Sequence, residues 1–148
     1  VTGDEPLRQS IRWLLAGESL AVLSTQHHGQ PYASLVGFAA SDDLRTITFA
    51  TMRTTRKFCY LTANPQVALL VDNRNTDPGD FLHAMAVTAT GRVAEALGRD
   101  RESLLRAYLL KLPHLEAFVR NPDCVLLKVT VQTYYAVSQF EKVMKLCP

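Results

Sequence analysis

Apolar residues recur along this chain with two periods, and the switches between them divide it into elements. Residues 5 to 16 carry Leu7, Ile11, Leu14 and Leu15 at the spacing of one helix face. Asp4 and Pro6 suit the first turn of that helix and Gly17 its stop. Residues 20 to 25 form a short continuous apolar run, which predicts a strand buried on both faces. His28-Gly29 turns the chain into a second strand over 31 to 40, and Ser41-Asp42-Asp43 turns it into a third over 46 to 51. Such short connections make this part of the sheet antiparallel. A helix with Phe58, Leu61 and Cys59 toward its apolar side runs from Thr55 to Asn64, before Pro65.

A fourth strand follows over 66 to 72, then a polar loop over 73 to 83 with Pro78-Gly79 at its tip. The loop exceeds a usual hairpin connection, which makes it a candidate lid or interface element. Residues 84 to 96 predict a long strand whose Gly91 marks a bulge or bend. Leu104, Leu105, Tyr108, Leu109 and Leu112 line a helix over 100 to 112 that Pro113 ends, and a shorter helix follows over 114 to 120. Val125, Leu127, Val129 and Val131 alternate through a last strand or strand pair over 123 to 139. The tail beyond is expected to pack on a partner or fray. Six strands with helices at ends and crossovers predict an α+β domain around a β-barrel.

At 148 residues, with 47% hydrophobic and 20% charged content, the chain reads as a single domain over 1–148 with a full core. A net charge of +2 is too small to point to nucleic acid or a membrane surface, and no apolar run is long enough for a helix to span a bilayer. Cys59, Cys124 and Cys147 are odd in number and widely spaced, which with the lack of a signal-peptide pattern predicts a reducing, cytoplasmic setting. No His-Glu-x-x-His, Gly-x-Ser-x-Gly, P-loop or Gly-x-Gly-x-x-Gly pattern occurs, so zinc, serine-hydrolase, NTPase and Rossmann chemistry have no foothold. His27-His28 reads as a solvent-exposed pair, Asp42-Asp43 as a turn, and Trp13 as core or dimer packing.

One stretch stands apart. Between Phe49 and Lys57 a strand stops, and Arg53, Arg56 and Lys57 follow among the hydroxyls of Thr51, Thr54 and Thr55. A hydroxyl at a helix start caps free N–H groups, and those groups, the helix dipole and nearby cations favour an anion. By residue type alone a solvated basic loop fits about as well as a phosphate site.

This stretch resembles the phosphate-binding turn of the FMN-binding split-barrel family, the relatives of pyridoxamine 5'-phosphate oxidase. That family has an aromatic residue and Thr at a strand end, Ser-Arg-Lys opening a helix, and Asn-Pro before a buried strand. The matching residues are Phe49, Thr51, Thr55-Arg56-Lys57, Asn64-Pro65 and Val67 to Val71, with Thr55 replacing Ser but keeping the hydroxyl. The resemblance covers roughly residues 6 to 140 and sharpens the fold to a six-stranded antiparallel split β-barrel with flanking helices. It implies FMN as cofactor, with Thr51, Thr55, Arg56 and Lys57, and Arg53 beside them, on the phosphate. It also implies Ser34, Leu35 and Val36 beside the flavin ring, where small residues Ala33, Ser34 and Gly37 allow close approach, and a homodimer with flavin between subunits.

The same comparison shows departures. Relatives place an Arg and a Lys on the phosphate from the strand where this chain has Ser34 and Ala39, and a ring-contacting Gln near Ala86. Their C-terminal Arg- and His-bearing substrate segment has no counterpart in residues 131 to 138. The chain is therefore expected not to be a true pyridoxamine 5'-phosphate oxidase. The leading expectation is an FMN-dependent oxidoreductase passing hydride or electrons through flavin N5 to an unknown small molecule, with no catalytic side chain and no metal. The alternative is a non-catalytic module binding flavin, deazaflavin or haem, for which His83 and His114 are the loose axial candidates. Nucleic-acid binding lacks the basic, aromatic-studded stripe it needs.

Overall fold

A computed structural model describes residues 4–75, 78–139 and 142–148. Helix α1 (Glu5–Gly17) leads into strands β1 (Leu20–His27), β2 (Gln30–Ala40) and β3 (Thr46–Met52). Then come α2 (Arg56–Ala63), β4 (Gln66–Asp72), a one-turn α3 (Asp80–His83) and β5 (Met85–Glu95). Helix α4 (Gly98–Lys111), a 3-10 turn (Pro113–Leu115) and α5 (Glu116–Arg120) lead to the long β6 (Cys124–Ser138), followed by β7 (Lys142–Leu146). The stretch expected to be loop over 73 to 83 therefore contains a helical turn, and its residues 76 and 77 lie outside the described residues.

The strands run in the order β3-β2-β1-β4-β5-β6-β7, and β3 also pairs with β6. Every pairing is antiparallel. Six strands thus close a barrel, as expected of a split-barrel α+β fold, and the seventh lies outside it on β6. The tail forms β7 instead of fraying because β6 is long enough to carry β3 along its first half and β7 along its second. Alternating residues fill the barrel: Leu23, Val36, Phe38, Ile47, Phe49, Leu69, Val129 and Tyr134 are all buried. The buried Tyr134 hydroxyl donates to the Leu44 carbonyl at 2.7 Å, and burial pushes its pKa up.

Two strand features depart from simple alternation. First, β1 is buried on one face only, with Leu20 exposed and Val22 half-exposed, so its apolar run is not covered on both sides within this chain. Second, β5 and β6 shift register at Thr90/Gly91: Thr90 opposes Thr133 and Gly91 opposes Val131, leaving Gln132 as an extra residue. The bulge moves the inward phase of β6 from Val129 and Val131 to Tyr134 and Ala136. Gly91 makes the approach possible, since a Cβ there would lie 2.2 Å from the Thr130 carbonyl oxygen.

β2 pairs with β3 only where Phe38, Ala39 and Ala40 oppose Phe49, Thr48 and Ile47. Toward the β1–β2 hairpin the two strands part, and this gap is the split of the barrel. Helix α1 contributes Ile11, Leu14 and Leu15 to the core at the end where β1 begins, whereas α2 packs where β1 finishes, burying Leu61 and part of Phe58. Cys59 and Trp13 are exposed, so neither joins the core.

A second cluster of Tyr108, Leu112, Val119 and Leu126 holds α4 and α5 against the outside of β3 and β6. Gly37 lets this layer come close to β2: a Cβ there would meet Leu115 Cδ1 at 3.1 Å and Leu112 Cδ1 at 3.2 Å. Tyr108 donates to the Gly37 carbonyl at 3.0 Å, and burial pushes its pKa up to about 12. Gly37 is therefore small for helix packing.

Lys111 ties α4 to α1 and β2. Its Nζ donates to the Leu15 carbonyl at 2.8 Å and lies 3.8 Å from the centre of the Phe38 ring. Burial lowers its pKa to about 8 from an ordinary 10.5, with Glu18 opposing the shift. The folded state thus sheds this proton before the unfolded chain does, so the unfolded state binds more protons between these values. Stability should rise as pH climbs from about 8 toward 10.5. Urea midpoints measured across that range should climb for the native chain, and Lys111→Met should remove this contribution.

Candidate functional site

The split is bounded on one side by β2 and on the other by the β3–α2 turn. The Phe38 N–H bonds the Ser19 carbonyl of the β1 side, so residues of Phe38's parity turn their main-chain groups toward β1. Leu35 has the opposite parity and turns its N–H and C=O toward the gap. Its side chain lies on the outer face, 65% exposed. Ser34 and Val36 point inward; Val36 joins the core, and Ser34 Oγ is buried without a hydrogen-bond partner among the described residues. An unpaired buried hydroxyl is uncommon and calls for a partner.

Across the gap, Thr55 is the N-cap of α2, and its Oγ accepts from the Phe58 N–H at 3.3 Å. The same hydroxyl donates to the Met52 carbonyl at 2.9 Å, so its 3.0 Å contact with Thr51 is one in which Thr51 donates. Thr51 is buried at the end of β3. These bonds hold the turn in shape. Beyond them, the N–H groups of Arg56 and Lys57 have no partner among the described residues. They project from the positive end of the α2 dipole. Thr55→Val should cost about 1 kcal/mol through the lost cap, readable as a lower urea midpoint.

The three cations differ in what they do. Arg53 Nη2 pairs with Glu95 Oε1 at 2.6 Å, and its guanidinium lies over Phe58 at 5.7 Å. Arg56 makes no ion pair among the described residues and rests 5.8 Å over the Tyr32 ring. The Lys57 side chain has neither an ion pair nor a hydrogen bond to a described residue. The structure therefore gathers Thr51, Thr55, Arg56 and Lys57 at one turn, and draws Arg53 toward Glu95.

An aromatic group beside the turn was not picked out in the sequence. Tyr60 stacks on His27 at 4.8 Å and meets the edge of Tyr32 at 5.6 Å, with His28 against His27 at 4.1 Å. These rings pin α2 to the β1–β2 hairpin, so His27 is a packing residue, while His28 is exposed. Parity puts Tyr32 on the face of Val36 and His27 on the face of Leu23, but not the helix that packs against them. Among the described residues no cluster of His, Cys, Asp or Glu is placed to hold a metal ion.

A family model described as pyridoxamine 5'-phosphate oxidase matches residues 7–138. The chain belongs to the pyridoxamine 5'-phosphate oxidase family. A search of curated proteins found no match. Among solved structures, this family member is similar to a heme binding protein from Mycobacterium smegmatis, with TM-score 0.84 and 15% identity over 95% of this chain. It spans 57% of that protein's length. It is also similar to a FAD-binding protein from Mesorhizobium loti, with TM-score 0.69 and 20% identity, covering 86% of this chain and 90% of the other. General Stress Protein 26 from Bacillus anthracis matches with TM-score 0.66 and 19% identity, covering 96% and 98%. At these identities the likeness establishes the fold. No helix among the described residues is long and apolar enough to cross a membrane.

Proposed function

We propose that this family member binds FMN in the split, with the phosphate on the β3–α2 turn and the ring along the Leu35 backbone. The observation that carries the reading is the pair of unpartnered N–H groups at Arg56 and Lys57, beside two cations free of ion pairs among the described residues. A dianion there gains charge-assisted hydrogen bonds and the helix dipole together. Thr51 would turn its hydroxyl from Thr55 to a phosphate oxygen. Ser34 Oγ would find in the bound ligand the partner it lacks. Arg53, held by Glu95, would stand as an outer cation to the same phosphate.

The flavin, when bound, would supply hydride or electron transfer at N5, which makes an oxidoreductase the activity this reading favours. The chain contributes binding, orientation and field. No side chain is assigned an acid or base role.

The second half of the reading is a homodimer. Leu35, Val22, Leu70, Thr88 and Tyr135 oppose one another strand by strand in a single row across the outer face of β2, β1, β4, β5 and β6. Leu35 and Tyr135 are exposed within that row, which adjoins the split. A second copy on this row would cover it and close the flavin groove from outside. The FAD-binding M. loti protein supports a flavin ligand for this fold, and the M. smegmatis protein supports haem as a second reading. Haem would need an axial ligand, and both His83 and His114 are exposed.

Mass spectrometry and absorbance of the ligand released on denaturing the purified protein test the proposal. FMN is expected. A Soret band with haem, or no gain of FMN on incubation with excess cofactor, would overturn it.

A further inference from the structure

The β5–β6 bulge does more than shift a register. Next to it, on the outer face of β1, β4, β5 and β6, lies a cleft of about 330 Å³. Gln26, Gln66 and Gln132 line it, together with Ser24, Ala68 and Thr90. Gln132 is the extra residue of the bulge, and Gly91 is what lets the bulge form. The side-chain amides of all three glutamines are without hydrogen bonds to any described residue. Thr90 Oγ1 donates to the Thr133 carbonyl at a long 3.4 Å and keeps its acceptor lone pairs. No charged residue lines the cleft.

Each glutamine offers a carbonyl acceptor and an NH₂ donor side by side. That pair is complementary to one group above others: an uncharged C(=O)–N–H edge, which accepts from the amide N–H and donates to its oxygen. The volume sits at the low end for small-molecule sites, enough for a single ring or a small bicycle. Bulges recur beside binding sites because they re-aim one side chain without breaking the sheet.

We infer that this cleft is a binding site for a planar, uncharged ring bearing a carboxamide or lactam edge, held by Gln26, Gln66 and Gln132. The site is separate from the phosphate turn. The lining of the cleft and the phosphate turn have no residue in common. The inference does not depend on the flavin proposal. The cleft borders the apolar row, so it would open at the seam of a dimer built there.

The test uses the full chain, isotope-labelled, with nicotinamide as probe and nicotinic acid as its charged near-isostere. Nicotinamide should shift the side-chain NH₂ resonances of the three glutamines, with the millimolar affinity that suits so small a molecule. Nicotinic acid should bind at least about tenfold more weakly at the same salt, and so should nicotinamide to Gln66→Leu and Gln132→Leu. FMN titrations of both variants should match the native chain, which separates failure here from failure of the flavin reading. Three results would overturn the inference. The amides could stay unmoved by nicotinamide, the acid could bind as well as the amide, or the shifts could follow protein concentration alone, which would mean that a second copy fills the cleft.

Discussion

Gly91→Ala should destabilise the protein sharply, moving its urea midpoint well below the native one. The added Cβ would sit 2.2 Å from the Thr130 carbonyl oxygen and 3.0 Å from Val129 Cγ1, so β5 and β6 would have to separate at the bulge. The neighbour is backbone and has no rotamer to change. Such overpacking against a fixed ladder costs about 3 kcal/mol or more, a large part of the ordinary 5–15 kcal/mol stability of a domain. Urea denaturation followed by circular dichroism reads this directly. Gly17→Ala, where nothing lies within 4 Å of the new Cβ, is the control and should unfold at or slightly above the native midpoint. A Gly91→Ala midpoint equal to the native one would mean that the bulge is not as tight as described.

Replacing Arg56 and Lys57 together by alanine should abolish FMN retention while leaving the fold intact. Charge-assisted hydrogen bonds contribute about 1.5–3 kcal/mol each, so the pair accounts for about 3–6 kcal/mol of binding. That corresponds to roughly two to four orders of magnitude in Kd, measured by FMN fluorescence quenching at fixed salt. The thermal midpoint should move little, because neither side chain makes an ion pair with a described residue and Arg56 only rests on Tyr32. Arg53→Ala should weaken binding less, since that guanidinium is already neutralised by Glu95 at 2.6 Å. Native-like FMN affinity in the double variant would refute the phosphate assignment.

The contrast between Arg53 and its two neighbours shows where local reasoning stops. All three cations lie within five residues, and nothing in that spacing ranks them. Arg53 is separated by 42 residues from the carboxylate that takes it. The partnership exists because β3 ends and β5 ends against the same stretch of β6, with Met52 opposite Cys124 and Glu95 opposite Leu127. A similar long-range link joins Tyr108 to the Gly37 carbonyl, and it turned a small residue that looked suited to ligand approach into a helix-packing position.

Elements set by short-range physics were legible in the residues themselves. Helical periodicity placed α1 and α4, turn chemistry placed the β1–β2 and β2–β3 connections, and Thr55 was readable as a cap because an N-cap bond spans three residues. Gly91 was readable as a bulge or bend, which are common reasons for glycine within a strand. What the tertiary structure decided was everything that depends on register between distant strands. It parted β2 from β3 beyond Phe38 and Phe49, turned the Leu35 backbone to the gap, lined Leu35 up with Tyr135 across four intervening strand pairings, and brought three glutamines from β1, β4 and β6 to one cleft. Periodicity specifies which face a residue occupies, because that is a property of a few successive dihedral angles. It does not specify which strand lies alongside or at what offset, because that is settled by how the whole core packs at once.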